Sequence, residues 1–131
     1  MRIRVNLSES RVDPIPTAEG YRLKITTIKD ERTTQSGMQQ LPIVFTITDG
    51  PESNKTITRN FNLSGRGAGF FDDLCDACGL RLDVDAKKEV EVDVSELIGC
   101  ELIGDIELVQ PDAENGLRRP RSELTNFYPI P

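Results

Sequence analysis

The sequence predicts a mainly β domain with one α-helix, arranged as a small antiparallel β-barrel. The first observation is a period of two between Leu41 and Leu63, where apolar residues occupy alternate positions in two separate runs. Successive side chains of a strand point to opposite faces of a sheet, so each run predicts a half-buried strand. The second observation is a change to helical spacing from Ser64 to Gly79, directly after the second run. The order strand, strand, helix and further strand is typical of small β-barrels that bind other molecules.

Length and composition limit the domain organisation and the compartment. A chain of 131 residues is long enough for one domain and short for two. We therefore predict a single domain over residues 1–131. It would comprise an N-terminal strand and connector at 1–19, a helix at 64–80 and an acidic excursion at 81–99. There is no run of 18 apolar residues, and the first residues lack the apolar centre of a signal peptide, so we expect no membrane partner. Three cysteines, an odd number, favour reduced thiols and a cytoplasmic location.

The first third of the chain predicts two strands and a long hairpin loop. Residues 2–7 alternate, with Ile3, Val5 and Leu7 on one face, and predict a short strand, while 8–20 form an irregular connector. Residues 21–28 predict a second strand with Arg22 and Lys24 on its polar face. The polar segment 29–40 predicts a loop with a turn at Ser36–Gly37, and its ends continue the flanking strands.

The middle of the chain predicts a hairpin and the helix. Asp49 to Asn54 is a cluster of turn-forming residues between the two alternating runs, which favours a hairpin connection. From Phe70 onward, apolar residues recur at steps of three and four while the aspartates face away, as in an amphipathic helix. Gly79 is well placed to end this helix, with Leu80 making the accompanying apolar contact.

The last third predicts further strands separated by polar segments. Residues 81–93 are rich in acids and predict either a solvated loop or an irregular strand. Residues 95–99 predict a single helical turn, and 100–109 predict a strand in which Gly104 would mark a bulge. Residues 117–124 predict a returning strand, and the proline-rich end from 125 to 131 is not expected to continue as a central strand.

Four elements in this order resemble a family of small phage-encoded proteins of the replication and recombination module, which are OB-like single-stranded-DNA-binding proteins. The elements are Gly20–Ile25 with Thr34–Gly37, Ile43–Gly50 with Lys55 and Asn60–Leu63, the helix end Cys78-Gly79-Leu80, and Leu97-Ile-Gly99 with Asn126–Pro129. The resemblance implies a small OB-like antiparallel β-barrel over residues 1–131, a place in the host cell cytoplasm, and single-stranded DNA as partner. It also implies replication or recombination proteins as further partners and a homo-oligomer.

Basic and aromatic side chains supply the candidate DNA contacts. Oligonucleotides lie across the second and third strands of an OB-type barrel and between two of its loops. Lysine and arginine there neutralise phosphates, and aromatic rings stack on bases. The alternative for those candidates that lie on strands is that they only keep the outer sheet face in contact with water or fill the core. The candidates are Arg22, Lys24, Arg59, Phe61, Arg66, Arg118, Arg119, Arg121 and Tyr128.

Other chemically active residue types predict no catalytic or metal site. Cys75 and Cys78 have the spacing of half a zinc site, but the chain has no histidine and only Cys100 remains. The pair is better explained as small apolar residues on the inner face of the helix. The glycine-rich segment 65–69 lacks the Lys-Ser/Thr of a phosphate-binding loop and predicts a connector. The sequence therefore predicts no catalytic residue, metal or cofactor.

Two functions follow from these observations. The first is a phage-type single-stranded-DNA-binding protein that acts in replication or recombination without catalysis. The second is a protein-interaction or assembly module that uses an acidic face or an edge strand and binds no nucleic acid. The net charge of −6 favours the second function, and the clustered arginines favour the first.

Overall fold

Six strands and one α-helix make up the part of the chain that this computed structural model describes, which is residues 1–4, 14–80 and 92–131. The strand predicted at 2–7 and the acidic segment 81–93 lie largely outside these residues. The elements are β1 (Ala18–Ile28), β2 (Arg32–Thr33), β3 (Gln39–Ile47), β4 (Thr56–Asn62), α1 (Ala68–Ala77), a 3₁₀ helix (Val94–Leu97), β5 (Glu101–Val109) and β6 (Arg121–Tyr128).

The strands form one antiparallel sheet. β3 pairs with β1 and with β4, β1 pairs with β5, and β5 pairs with β6, while β2 prolongs the β1–β3 hairpin. The edge strands β4 and β6 approach each other without pairing as strands, so the sheet is an open barrel. The predicted fold class, mainly β with one helix in an OB-like antiparallel barrel, is confirmed in this open form.

The alternating residues of the sequence fill the barrel interior. Leu23 and Ile25 on β1, and Ile43 and Phe45 on β3, have no exposed surface. Side chains from every long strand, from α1 and from the 3₁₀ helix join this one core, and no polar or charged residue is buried among the described residues. The core therefore accounts for the period of two, because inward positions alternate with outward ones along each strand.

The helix α1 covers one side of the core and ends as the sequence predicts. Phe71, Leu74 and Cys75 are buried on its inner face. Gly79 has φ +77°, and the Leu80 amide donates to the Cys75 carbonyl at 2.8 Å. This is the Schellman arrangement, in which a left-handed glycine ends the helix and frees the chain to turn.

Two sequence expectations about the last strands need correction. Gly104 is not itself the bulge: it sits in regular pairing on β5, and the register between β5 and β6 shifts after Asp105. Gly104 is required because a Cβ there would lie 2.6 Å from Leu23 Cδ1 and 2.7 Å from Leu124 Cδ1. The strand β6 also continues to Tyr128 rather than ending at residue 124, since an edge strand extends until Pro129 stops it.

Arg59 links the two unpaired edges. Arg59 lies two positions from both Ile57 and Phe61 on β4, so its side chain shares their inward face and points toward the gap. The guanidinium Nη1 donates to the Leu124 carbonyl on β6 at 2.9 Å. Its central carbon also lies 4.9–5.3 Å from the centroids of three rings, those of Phe61, Phe70 and Phe127. Burial lowers the pKa of this guanidinium, as expected for a cation removed from water.

Candidate nucleic-acid interface

The outward side chains of β3 and β4 form a polar face without any carboxylate. Register pairs such as Thr46–Thr56, Val44–Thr58 and Gln40–Asn62 place side chains from both strands side by side. Gln40 Nε2 donates to Asn62 Oδ1 at 2.9 Å across the pair. We name this surface the β3–β4 face: Gln40, Pro42 (itself buried), Val44, Thr46, Thr56, Thr58, Asn60 and Asn62.

One end of the β3–β4 face meets the arginine-rich connection between β5 and β6. A groove of about 220 Å³ separates Thr56 and Thr58 from Pro120 and Arg121. The Arg121 side chain is 61% exposed and forms an ion pair with Glu123 at 2.6 Å, so part of its guanidinium remains open to solvent. Exposed Arg118 and Arg119 immediately precede Pro120 in the same connection. The structure thus brings Arg121, which is paired with Glu123, and the segment that carries Arg118 and Arg119 to one end of this face.

The other end of the β3–β4 face meets the start of α1. Gly67 packs so closely on Asn62 that an added Cβ would lie 2.5 Å from Asn62 Nδ2. Arg66 precedes this glycine and is exposed. The seven residues of β4 separate the two ends by about 20 Å, given the usual rise along a strand. Cationic side chains therefore lie beyond both ends of an uncharged surface.

Arg22 and Lys24 lie on the outer surface of β1, next to acidic residues. Lys24 pairs in register with Thr46 on β3 and with Glu101 on β5. Arg22 lines a shallow pocket with Asp49 and Glu101. Both cations are exposed, but nearby carboxylates offset their charge.

Phe61 lies inside the barrel and Arg59 at its open edge, rather than on the surface where they were predicted to contact DNA. Phe61 is 1% exposed, and its ring contacts the rings of Phe45, Phe71 and Phe127. A ring enclosed in this way has no free face for a base, so the stacking role predicted for Phe61 does not fit the structure. Arg59 bridges the barrel edges as described above, which gives it a structural role in this conformation.

Tyr128 belongs to a second outer surface, on β5 and β6. Its ring is 44% exposed, and its hydroxyl donates to Asp105 Oδ2 in a short hydrogen bond. Asp105 also accepts from the Gly20 amide at 3.1 Å and from Asn126 at 3.4 Å. These bonds, that of Tyr128 first, hold the pKa of the Asp105 carboxyl below its usual range, and the same bond raises the pKa of Tyr128.

This second surface is acidic. Outward positions on β5 alternate with the buried Leu102 and Ile106, and the register with β6 aligns them with outward positions there. We name it the β5–β6 face: Glu101, Ile103, Asp105, Glu107, Arg121, Glu123, Asn126 and Tyr128. Four carboxylates against one arginine make it unfavourable for a phosphate backbone. Tyr128 is thus presented on a different surface from Arg118 and Arg119.

The three thiols lie close together at the end of α1 and the start of β5. Cys75 is buried, and Cys78 and Cys100 are half-buried. Burial raises the pKa of Cys75 to about 11 and raises that of Cys78 further, with a hydrogen bond to Cys100 contributing. The thiols of Cys75 and Cys78 are therefore protonated at neutral pH, as small apolar core residues would be. Within the described ranges, no group of three metal-binding side chains converges.

Sequence reasoning missed the neutral side chains that make up most of the β3–β4 face. Thr56, Thr58, Asn60 and Asn62 occupy every second position of β4, so the alternation that predicted the strand also marked them as outward. Threonine and asparagine are common on solvated strands, so these side chains carry no cationic or aromatic signal in the sequence. The relevant signal is a strand whose outward residues are all polar and uncharged.

Comparison with known proteins adds no family to this description. No protein-family model matches the chain, and a search of curated proteins found no similar sequence. Among the residues that the structure describes, no helix is long and apolar enough to cross a bilayer.

Proposed function

We propose that this protein binds single-stranded DNA on the β3–β4 face, without catalysis, in the manner of the phage replication and recombination proteins that its sequence resembles. The observation that carries this proposal is the carboxylate-free face with Arg118, Arg119 and Arg121 beyond one end and Arg66 beyond the other. In OB-type barrels, the second and third strands and the adjoining loops are the usual oligonucleotide surface. Here β3 and β4 take the places of those strands, with β1 as the first.

The charge distribution favours this face over the rest of the barrel. A phosphate backbone needs local cations and an absence of nearby carboxylates, and the total charge of −6 matters less than this local pattern. The β5–β6 face and the outer side of α1 carry acids, so DNA would be repelled from them. Among the surfaces formed by the described residues, the β3–β4 face is the one that combines neutral strands with cations at both ends.

The chemistry of the face also predicts how bases are contacted. No aromatic ring stands among its eight residues, so base stacking of about 1–3 kcal/mol per ring is not available there. Threonine hydroxyls and asparagine amides can donate to bases or phosphates, and Val44 supplies an apolar contact. Binding is therefore expected to depend mainly on phosphate contacts and to fall steeply with salt.

The test is a titration of fluorescent oligo-dT and of a matched duplex at about 50 and 200 mM salt. We expect binding to the single strand alone, weaker at the higher salt concentration. Arg118→Glu/Arg119→Glu should weaken binding by about 10- to 100-fold and reduce the slope of log K against log salt by about 1.4, from about 0.7 per phosphate contact.

The matched control is Arg22→Glu/Lys24→Glu, which changes the total charge by the same amount on β1. It should weaken binding severalfold less, because Asp49 and Glu101 lie beside those cations and offset their charge. Equal losses from the two double variants would show that only total charge matters and would contradict the placement on the β3–β4 face. No binding of wild-type protein at either salt concentration would refute the function itself and favour the assembly module.

A further inference from the structure

A groove between α1 and β6 exposes aromatic surface beside aspartates. It has a volume of about 300 Å³. Phe70 on its α1 side is 50% exposed, which is unusual for a phenylalanine in a chain with so few aromatic residues. The full lining is Phe70, Asp73, Asp76, Ala77, Thr125, Asn126, Phe127 and Pro129.

The aspartates of this groove have no cationic partner in the described part of the chain. The two ion pairs formed there are Lys55–Glu52 and Arg121–Glu123, and neither involves α1. Asp73 and Asp76 lie on the exposed side of the helix, one turn apart. An apolar floor with an unpaired acidic rim is complementary to a segment that alternates basic and apolar side chains.

The chain itself carries a segment of this kind at Met1–Arg4. Arg2 and Arg4 flank Ile3 in an extended pattern, and all four residues are exposed. Ile3 is 78% exposed, so its side chain contributes nothing to the core of its own molecule. In an extended segment, Ile3 points to one side and Arg2 and Arg4 to the other, so Ile3 can enter a groove while the long, flexible arginine side chains bend back to its rim.

We propose that Met1–Arg4 of one copy docks into the α1–β6 groove of a second copy, with Ile3 against the groove-facing surfaces of Phe70 and Phe127 and the two arginines at Asp73 and Asp76. Each copy offers one segment and one groove, so two copies satisfy each other in a closed dimer. The contact is smaller than a standard stable interface, and a dissociation constant in the micromolar range is expected. This assembly is independent of DNA binding, since the groove lies outside the β3–β4 face.

The test is the mass of the full chain in solution, measured by light scattering or sedimentation over roughly the micromolar concentration range in which such contacts form. Wild-type protein should rise from 14.6 kDa toward twice that mass as concentration increases. Arg2→Glu/Arg4→Glu and Asp73→Lys/Asp76→Lys should each remain monomeric, because like charges then meet in the groove. An equimolar mixture of these two variants should dimerise again, since each variant complements the other.

Two controls separate the groove from total charge. Arg118→Glu/Arg119→Glu matches the charge change of the first variant, and Asp30→Lys/Glu31→Lys matches that of the second, at exposed positions outside the groove. Both controls should dimerise like the wild type. A wild-type mass of 14.6 kDa at every concentration would overturn the proposal, and so would a mixture of complementary variants that stays monomeric.

A synthetic peptide of residues 1–7 provides an independent measurement. It should bind the full-length Arg2→Glu/Arg4→Glu variant and fail to bind the same variant carrying Asp73→Lys/Asp76→Lys. Peptide binding that is unchanged by Asp73→Lys/Asp76→Lys would also overturn the proposal. A circular dichroism spectrum identical to that of the wild type verifies that each variant is folded.

Discussion

The β3–β4 face and the β5–β6 face are built by the same rule and carry opposite chemistry. Each consists of outward positions that alternate with core residues along two paired strands. The first holds hydroxyls, amides and no carboxylate, whereas the second holds Glu101, Asp105, Glu107 and Glu123. Core packing places few demands on outward residues, so their chemistry is free to differ between the two faces. The difference therefore marks where a polyanion can approach this acidic protein.

The largest expected effect comes from removing Arg59, which bridges the gap between β4 and β6 and so joins the two faces. Arg59→Ala removes the 2.9 Å bond to the Leu124 carbonyl and the packing of the guanidinium on three rings. We expect the free energy of unfolding to fall by about 2–4 kcal/mol, from one charged hydrogen bond and several cation–π contacts. Urea denaturation measures this loss. The control is Arg22→Ala, at an exposed position on β1, which should change the free energy of unfolding by less than about 0.5 kcal/mol. Equal losses from the two variants would show that Arg59 does not stabilise the contact between β4 and β6.

The next effect tests the two faces directly with one substitution made in each. Asn60→Asp adds a negative charge to the β3–β4 face, and Asn126→Asp adds the same charge to the β5–β6 face without changing side-chain size. Oligo-dT affinity at about 50 mM salt should fall by roughly three- to tenfold for Asn60→Asp, as expected for one added repulsion near phosphates. Asn126→Asp should leave affinity unchanged. A larger loss of oligo-dT affinity from Asn126→Asp would indicate that the DNA binds on the β5–β6 face instead.

The smallest effect concerns the hydrogen bond between Asp105 and Tyr128 on the β5–β6 face. The phenol pKa of Tyr128 is raised by this bond, so Asp105→Asn should bring it back toward its ordinary value of about 10. Phenolate absorbance during an alkaline titration measures it, and Tyr21→Phe leaves Tyr128 as the one tyrosine in the chain. An unchanged titration would show that the bond is absent in solution.

The pH range of this interaction follows from the direction of both shifts. The Asp105 pKa is lowered in the folded state, so its contribution is present above about pH 4 and is lost as pH falls through the folded pKa. The Tyr128 pKa is raised, so its contribution is present below about pH 10 and is lost as pH rises through the folded pKa. The bond is therefore intact across neutral pH.

The strands and the helix were predictable because their signals are local. The alternation from Leu41 to Leu63 placed β3 and β4 within two residues of their observed bounds, and Gly79 correctly predicted the helix end. The candidate site was predicted less well. The alternation places Arg59 and Phe61 on the same face as Ile57. It does not predict that the Arg59 side chain is packed against aromatic rings at the edge of the core.

The sequence by itself determined which residues face inward, where the chain turns, and that one helix follows the second hairpin strand, because each depends on neighbours within a few positions. Only the tertiary structure decided that β4 and β6 approach each other, and that Arg121 lies beside Thr56 while Tyr128 lies among carboxylates. These outcomes join residues that are distant in the chain: Tyr128 and Asp105 are 23 positions apart, and Arg59 and Leu124 are 65 positions apart. Their proximity depends on how the whole sheet coils around one shared core, and no local pattern of side chains encodes that.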